Sequence, residues 1–172
     1  KAKLAIASQS GSIQVFNQPA EEITNSPTVL SDKKGSITIG VSGKLVTATI
    51  IDPGQITSII PAKEITIKWD SSTIVKLNPG GITYQFGQIQ AKIFKGKLEI
   101  TNSVSLHDQY LYGISEMPSS WSSAALEAQI ITARTYASRK ANNIRVECDC
   151  DLYGSIRDLN FVGNQKISEP KW

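Results

Sequence analysis

YLYGISEMPSSWSSAALEAQIITARTYASR, residues Tyr110–Arg139, marks the change from a strand-rich sequence to a helical one. Pro118 disfavours helical geometry in the residue before it, so a break is expected there. Beyond the break, apolar residues recur at helical spacing along one face: Leu126, Ile130, Ala133 and Ala137. This pattern predicts an amphipathic helix that begins near Ser122 or Ser123 and runs to about Asn142.

Upstream of this stretch, short runs of β-branched residues alternate with turn-forming residues, which predicts strands. The predicted strands are Leu4–Ala7, Ser12–Phe16, Ser36–Val41, Leu45–Ile51, Glu64–Trp69, Thr73–Leu77, Thr83–Phe86, Ile89–Phe94 and Lys97–Thr101. The clearest hairpin turns at Lys95-Gly96. Asn17–Lys34 is expected to be a long surface loop. Ser105 and Asp108 have the spacing of a capping box, which predicts a short helix to about Gly113.

The predicted fold class is α+β. A β-rich N-terminal lobe, residues 1–104, is expected to precede a partial mixed lobe, residues 105–172, in which one long helix carries the motif. At 172 residues the chain is long enough for one good core or two small lobes.

Charge and composition argue against a nucleic-acid-binding protein and against a membrane-spanning one. The formal net charge of +3 comes from scattered Lys and Arg residues, so a nucleic-acid partner is not expected. No apolar run reaches the length of about 18 residues that a membrane span requires. The low charge and the β-branched composition are typical of extracellular proteins. The chain begins at Lys1 without a signal peptide, so we expect that a signal or anchor has been removed.

Glu116 is the first candidate for chemistry. Its neighbours Met117, Trp121 and Tyr112 would disfavour the charged form if they enclosed it, and would keep a proton available for donation. A carboxylic acid that protonates a glycosidic oxygen needs this property. The alternative is a surface glutamate that accepts backbone hydrogen bonds at the start of the next helix.

The helix itself carries polar residues that suit a ligand site. Gln129 and Tyr136 stand seven residues apart, so they lie along one stripe of the predicted helix and could face a polar ligand. The alternative is a buried network in which Arg134 pairs with Glu127 and Tyr136 lies half in the core.

Cys148 and Cys150 leave several outcomes open. Cysteines at this spacing rarely bond to each other without strain, so these two are candidates for binding a metal, for pairing between molecules, or for remaining reduced. Two thiolates supply half of a zinc site at best. No cofactor is therefore expected; zinc is the one alternative, and a full zinc site would need His107 or acids from elsewhere.

The chain resembles the stage II sporulation protein D / LytB domain family over residues 84 to 165. The motifs that carry the resemblance are, in order, Tyr110-Leu111-x-Gly113, Ser115-Glu116-Met117-Pro118-x-Ser120-Trp121, Ala125-Leu126-x-Ala128-Gln129 and Ala133-Arg134-Thr135-Tyr136-Ala137. The stretches Asn102–Asp108 and Cys148–Tyr153 resemble the segments on either side of these motifs.

The resemblance implies a peptidoglycan lytic transglycosylase that acts on glycan strands stripped of stem peptides. Glu116 would be the catalytic acid and base, and the products would carry 1,6-anhydro ends. Gln129 and Tyr136 would line the substrate groove, and Arg134 would hold the groove together. The protein would be exported to the cell wall or the extracellular space, where a cell-wall amidase is a further candidate partner.

The sequence departs from the family pattern in three places. His107 and Gln109 replace an acid and an aromatic residue, and no histidine follows the cysteines as in the zinc-binding members. The family's domain also usually continues into a Ser-x-x-Ser-Gly-Gly-like segment, whereas this chain ends at Trp172. The missing segment favours a second hypothesis, a non-catalytic module that binds the cell wall or enhances an amidase, and the intact Glu116 motif counts against it.

Overall fold

The computed structural model describes residues 1–7, 11–32, 34–141 and 143–169. The chain forms two compact units, Lys1–Ser103 and Val104–Trp172. Two antiparallel sheets hold most of the regular structure, and the described residues contain one long helix. This architecture is consistent with the predicted β-rich α+β class.

The described residues of the first unit form eleven strands in two sheets. The strands are β1 Ala2–Ile6, β2 Ile13–Phe16, β3 Thr28–Leu30, β4 Ser36–Ser42, β5 Leu45–Asp52, β6 Gln55–Ala62, β7 Glu64–Trp69, β8 Val75–Asn78, β9 Ile82–Tyr84, β10 Gln88–Phe94 and β11 Lys97–Ser103. A six-stranded sheet has the order β6-β5-β4-β1-β8-β9, and a five-stranded sheet has the order β11-β10-β7-β2-β3.

One apolar core joins the two sheets. Alternate residues of β1, β2, β4, β5, β7 and β10 are buried in it, as the two-residue period of a strand requires. Ile37 and Ile39 of β4 are fully buried from one sheet, and Ile65 and Ile67 of β7 from the other. The β-branched residues that predicted strands therefore also form the core of this unit.

Each predicted strand overlaps an observed one, but two strands were missed. β6 contains Pro61 and exposes Ile56 and Ile60, and it lies at the edge of the six-stranded sheet, where a proline is tolerated. β3 lies within the predicted loop Asn17–Lys34, and its Leu30 is fully buried. The loop prediction was wrong there, because three residues are too few to show a period.

The hairpin prediction is confirmed. β10 and β11 pair in antiparallel register with Phe94 opposite Lys97. Lys95 and Gly96 both have positive φ, 49° and 76°. Positive φ at both central residues is the geometry of the tight hairpin turn that matches the twist of paired strands.

In the second unit, the residues that the structure describes form one regular helix, α1, at Ser123–Lys140. The Oγ of Ser122 accepts a hydrogen bond from the Ala125 N–H at 3.3 Å, so the predicted helix start is confirmed. Asn142, the predicted end, lies outside the described residues. Leu126, Ala133 and Ala137 are buried on the predicted face.

The segment before α1 forms two short turns instead of one helix. Leu106–Tyr110 is a turn of π-helix, and Leu111–Gly113 is a turn of 3-10 helix. The Ser105 side chain makes no capping bond; instead the Gln109 Oε1 accepts from the Ser105 N–H at 2.9 Å. The predicted capping box was therefore wrong, because Gln109 and not Asp108 accepts the hydrogen bond from the Ser105 N–H.

No helix among the described residues is both long and apolar enough to cross a membrane.

Candidate functional site

The loop that carries Glu116 is held by a short antiparallel pairing within the second unit. The Val162 N–H donates to the Gly113 carbonyl, and the Ser115 N–H donates to the Asn160 carbonyl, both at 2.8 Å. Ile114 and Phe161 lie opposite each other between these bonds, and Ile114 is fully buried. A segment from beyond α1 therefore fixes the backbone immediately before Glu116.

Glu116 is exposed at the end of this pairing. Its Oε1 accepts a hydrogen bond from the backbone N–H of Asn160. Tyr112 and Trp121 remain 48% and 46% exposed, so the expected apolar enclosure of Glu116 was wrong. Glu116 accepts a backbone hydrogen bond, as the alternative predicted, but the donor is Asn160 and not the start of α1.

Gly113 allows the two paired segments to approach closely. A Cβ built on Gly113 would lie 2.2 Å from Cε2 of Phe161, which is well inside van der Waals contact. The Phe161 ring in turn stacks on Tyr110, with the ring centroids 5.5 Å apart and the planes 6° from parallel. The glycine in Tyr110-Leu111-x-Gly113 is therefore required by packing, not by a positive φ.

Asp158 forms a buried polar centre two residues before Asn160. Its side chain is fully buried and bonds to three donors from different parts of the unit. Tyr136 Oη, from α1, donates to Oδ1 at 2.5 Å, and the Arg145 guanidinium forms an ion pair with the same oxygen. The Tyr153 N–H donates to Oδ2 at 2.8 Å. Both carboxylate oxygens are thereby satisfied.

Burial, hydrogen bonds and charges in this network shift the pKa values of Asp158 and Tyr136. Burial acts to raise the pKa of Asp158, but the hydrogen bonds from Tyr136 and the Tyr153 N–H and the charges of Arg145 and Lys140 outweigh it and lower that pKa. The hydrogen bond to Asp158 raises the pKa of Tyr136. Asp158 is therefore ionised at neutral pH, and Tyr136 remains a donor.

Tyr110 lies within electrostatic reach of both carboxylates. Burial is the main cause of its raised pKa, and the charges of Asp158, Tyr136 and Glu116 add to it. Its side chain is buried, and its hydroxyl has no hydrogen-bond partner among the described residues. The phenol is therefore neutral at neutral pH.

Cys148 and Cys150 form a disulfide, so the expectation that they would not bond to each other was wrong. A tight turn brings them together. The Arg145 carbonyl accepts from the N–H groups of Cys148 and Asp149 at 3.2 and 2.7 Å, and the Arg145 N–H donates to the Cys150 carbonyl at 2.8 Å. The turn therefore fixes the backbone of Arg145, whose side chain forms the ion pair with Asp158.

The disulfide removes both thiolates that zinc would need, so zinc at Cys148 and Cys150 stays a prediction for the reduced protein alone. Among residues 1–7, 11–32, 34–141 and 143–169, no group of three or more His, Cys, Asp or Glu side chains is placed to hold a metal ion.

The three residues assigned to the substrate groove do not share one face of α1. Gln129 and Tyr136 lie on the same stripe, whereas Arg134, five residues after Gln129, lies about 140° around the helix from it. Arg134 is exposed, and within the described part of the chain no ion pair joins it to Glu127. The side-chain N and O atoms of Gln129 are buried without a hydrogen-bond partner among the described residues.

A cleft of about 620 Å³ lies along α1 next to Tyr136. Its lining residues are Ile131, Thr132, Thr135, Tyr136, Arg139, Lys140 and Asn143. Thr132 and Thr135 donate their hydroxyl hydrogens to helix carbonyls four residues earlier, at 2.8 Å each. Arg139 and Lys140 give the cleft a positive charge. Of the predicted groove residues, only Tyr136 lines it.

Residues 94–169 match the family model described as stage II sporulation protein. The resemblance predicted from the motifs is confirmed. The stage II sporulation protein match includes β11 and nearly all of the second unit, with Glu116, α1 and Asp158 inside it. It supports a sporulation domain in this part of the chain.

No curated protein and no solved structure matched the chain significantly.

Sequence reasoning missed four residues that build this site: Arg145, Asp158, Asn160 and Phe161. They lie in an irregular segment without hydrophobic periodicity, so no pattern selected them. Tyr136 was selected, but its bond to Asp158 spans 22 residues and depends on tertiary structure.

Proposed function

We propose that this chain acts on peptidoglycan as an exported lytic transglycosylase, with Glu116 as the acid and base. The observation that carries the proposal is the placement of Glu116 within the stage II sporulation protein match, on a loop held rigid by pairing with residues 160–162. An exposed carboxylate on a fixed loop is accessible to a long polymer.

The proposed reaction needs only one carboxyl group. Glu116 would give its proton to the oxygen that joins C1 of MurNAc to C4 of GlcNAc, and the C1–O bond would break. The C6 hydroxyl oxygen of MurNAc would then attack C1, and Glu116 would recover the proton from that hydroxyl. The products are a free GlcNAc hydroxyl and a 1,6-anhydro MurNAc end, with no water consumed.

The Asn160 N–H would orient the Glu116 carboxyl group during these steps. A backbone donor on Oε1 leaves the direction of Oε2 fixed relative to the loop. General acid catalysis is efficient when the acid lies within hydrogen-bond reach of the leaving oxygen. An acid positioned in this way raises the reaction rate by about 10²- to 10⁴-fold. Tyr136 and Gln129 are the proposed groove residues, and Arg134 is proposed to support the groove from its other side.

A second candidate function has its own support. Glu116 is not enclosed by apolar side chains, and the positively charged cleft beside Tyr136 suits an anionic cell-wall polymer. These observations favour a non-catalytic module that binds the wall or enhances a cell-wall amidase.

Mass spectrometry of products from peptide-free glycan strands tests the proposal. Anhydro-ended sugars released by the wild-type chain and not by Glu116→Gln would support the transglycosylase. Glu127→Gln, on the exposed surface of α1, is the matched control and should retain activity. Co-sedimentation of both folded proteins with sacculi, without released sugars, would instead support the binding module.

A further inference from the structure

We propose that Asp158 is a positioning residue for Glu116, and that it acts through the backbone N–H of Asn160. The role of Asp158 in the reaction rests on the proposed function. The structural link from Asp158 through Asn160 to Glu116 does not. The link consists of three parts: a buried anchor at Asp158, a short connection to Asn160, and the bond from Asn160 to Glu116.

The anchor is strong because its donors come from separate elements. Tyr136 belongs to α1, Arg145 belongs to the disulfide turn, and Tyr153 follows that turn. The Asp158 side chain is fully buried. Removing one member of a buried ion pair leaves an uncompensated charge, so the network resists displacement of any single part. The start of segment 158–162 is therefore held in one position.

The connection from the anchor to Glu116 is short. Asn160 is two residues from Asp158, a distance that the backbone spans in about 7 Å at most. The other end of the segment is fixed by its pairing with Gly113 and Ser115. Because both ends are held, the direction of the Asn160 N–H is determined, and with it the position of Glu116 Oε1.

The Asn160 amide gives a direct test that needs no enzymatic activity. In Asp158→Asn, which keeps the shape but removes the charge, we expect protection of the Asn160 N–H from hydrogen exchange to fall about tenfold or more. Its amide proton resonance should move toward its position in Glu116→Ala. Asp151→Asn, an exposed acid in the same unit, is the matched control and should leave both readouts at wild-type values.

Activity supplies the second readout. If the wild-type chain cleaves glycan strands, Asp158→Asn should lower kcat about 10- to 100-fold with little change in KM, since a small displacement of a catalytic group has this effect. Glu116→Gln defines complete loss. Should Asp158→Asn fail to fold, Arg145→Gln weakens the same anchor from the other partner and takes its place in both experiments.

If a folded Asp158→Asn protein keeps the wild-type hydrogen-exchange protection and the wild-type resonance position of the Asn160 amide, the proposal is overturned. Unchanged kcat with a displaced Asn160 amide would overturn the role in the reaction. If the wild-type chain has no activity at all, the transglycosylase assignment fails, while the amide experiment still decides the link between Asp158 and Glu116.

Discussion

The backbone N–H of Asn160 donates a hydrogen bond to Oε1 of Glu116 and thereby joins residues 44 apart in the chain. The carboxylate is held by the segment that follows α1, although the sequence places Glu116 immediately before that helix. The geometry of the proposed acid therefore depends on residues after α1 as much as on its own motif.

Glu116→Gln and Glu116→Ala should differ in stability. Glutamine keeps an oxygen that can accept from Asn160, so we expect its melting temperature to stay near wild type. Alanine removes the acceptor and should lower the free energy of unfolding by about 0.5 to 1.5 kcal/mol. Thermal unfolding followed by circular dichroism measures both. A large loss in the glutamine variant would make Glu116 a structural residue.

Gly113→Ala should destabilise the second unit by about 1 to 3 kcal/mol, because the added methyl group overlaps the Phe161 ring and forces it off Tyr110. Gly154→Ala is the matched control, since its Cβ would lie an ordinary 3.8 Å from the Cβ of Phe161. Chemical denaturation of the two variants gives the comparison. Equal stability would contradict the close approach at Gly113.

The same change, tyrosine to phenylalanine, should have opposite results at two positions. Tyr110→Phe removes a buried hydroxyl without a partner, so we expect no loss and up to about 1 kcal/mol of added stability. Tyr136→Phe removes a donor to buried Asp158 and should cost about 1 to 3 kcal/mol. Denaturant midpoints separate the two, and a reversed order would show that the network is misassigned.

Acid should weaken the fold through Asp158. Because the folded pKa of Asp158 lies below its ordinary value of 3.8, its ionisation stabilises the fold above pH 3.8. That stability is lost as the pH falls from 3.8 through the lower folded pKa. The melting temperature of the wild type should therefore fall more steeply over this range than that of Asp158→Asn. Parallel curves would rule out this contribution.

Alkylation under denaturing conditions tests the disulfide. Without reductant, intact mass should show no alkylated cysteine, and after reduction it should show both Cys148 and Cys150 modified. Because the bond closes a very short loop, the Cys148→Ser/Cys150→Ser variant should lose only about 1 to 2 kcal/mol. Two alkylated cysteines before reduction would return zinc to consideration.

The regular elements were predictable because local pattern defines them. Glu64–Trp69 was predicted with its observed bounds, and the start of α1 follows from Ser122. β3 and the turns at 106–113 were not predictable, since their geometry is set by neighbours that are distant in the chain.

By itself, the sequence determined the β-rich first unit, the helix α1 and the family to which residues 94–169 correspond. Periodicity and motif order are local properties, so they can be recognised without coordinates. Only the tertiary structure decided that Asp158 is buried among Tyr136, Arg145 and Tyr153, and that Asn160 holds Glu116. The physical reason is that an irregular segment takes its conformation from partners that packing brings to it, and no spacing in the sequence identifies those partners.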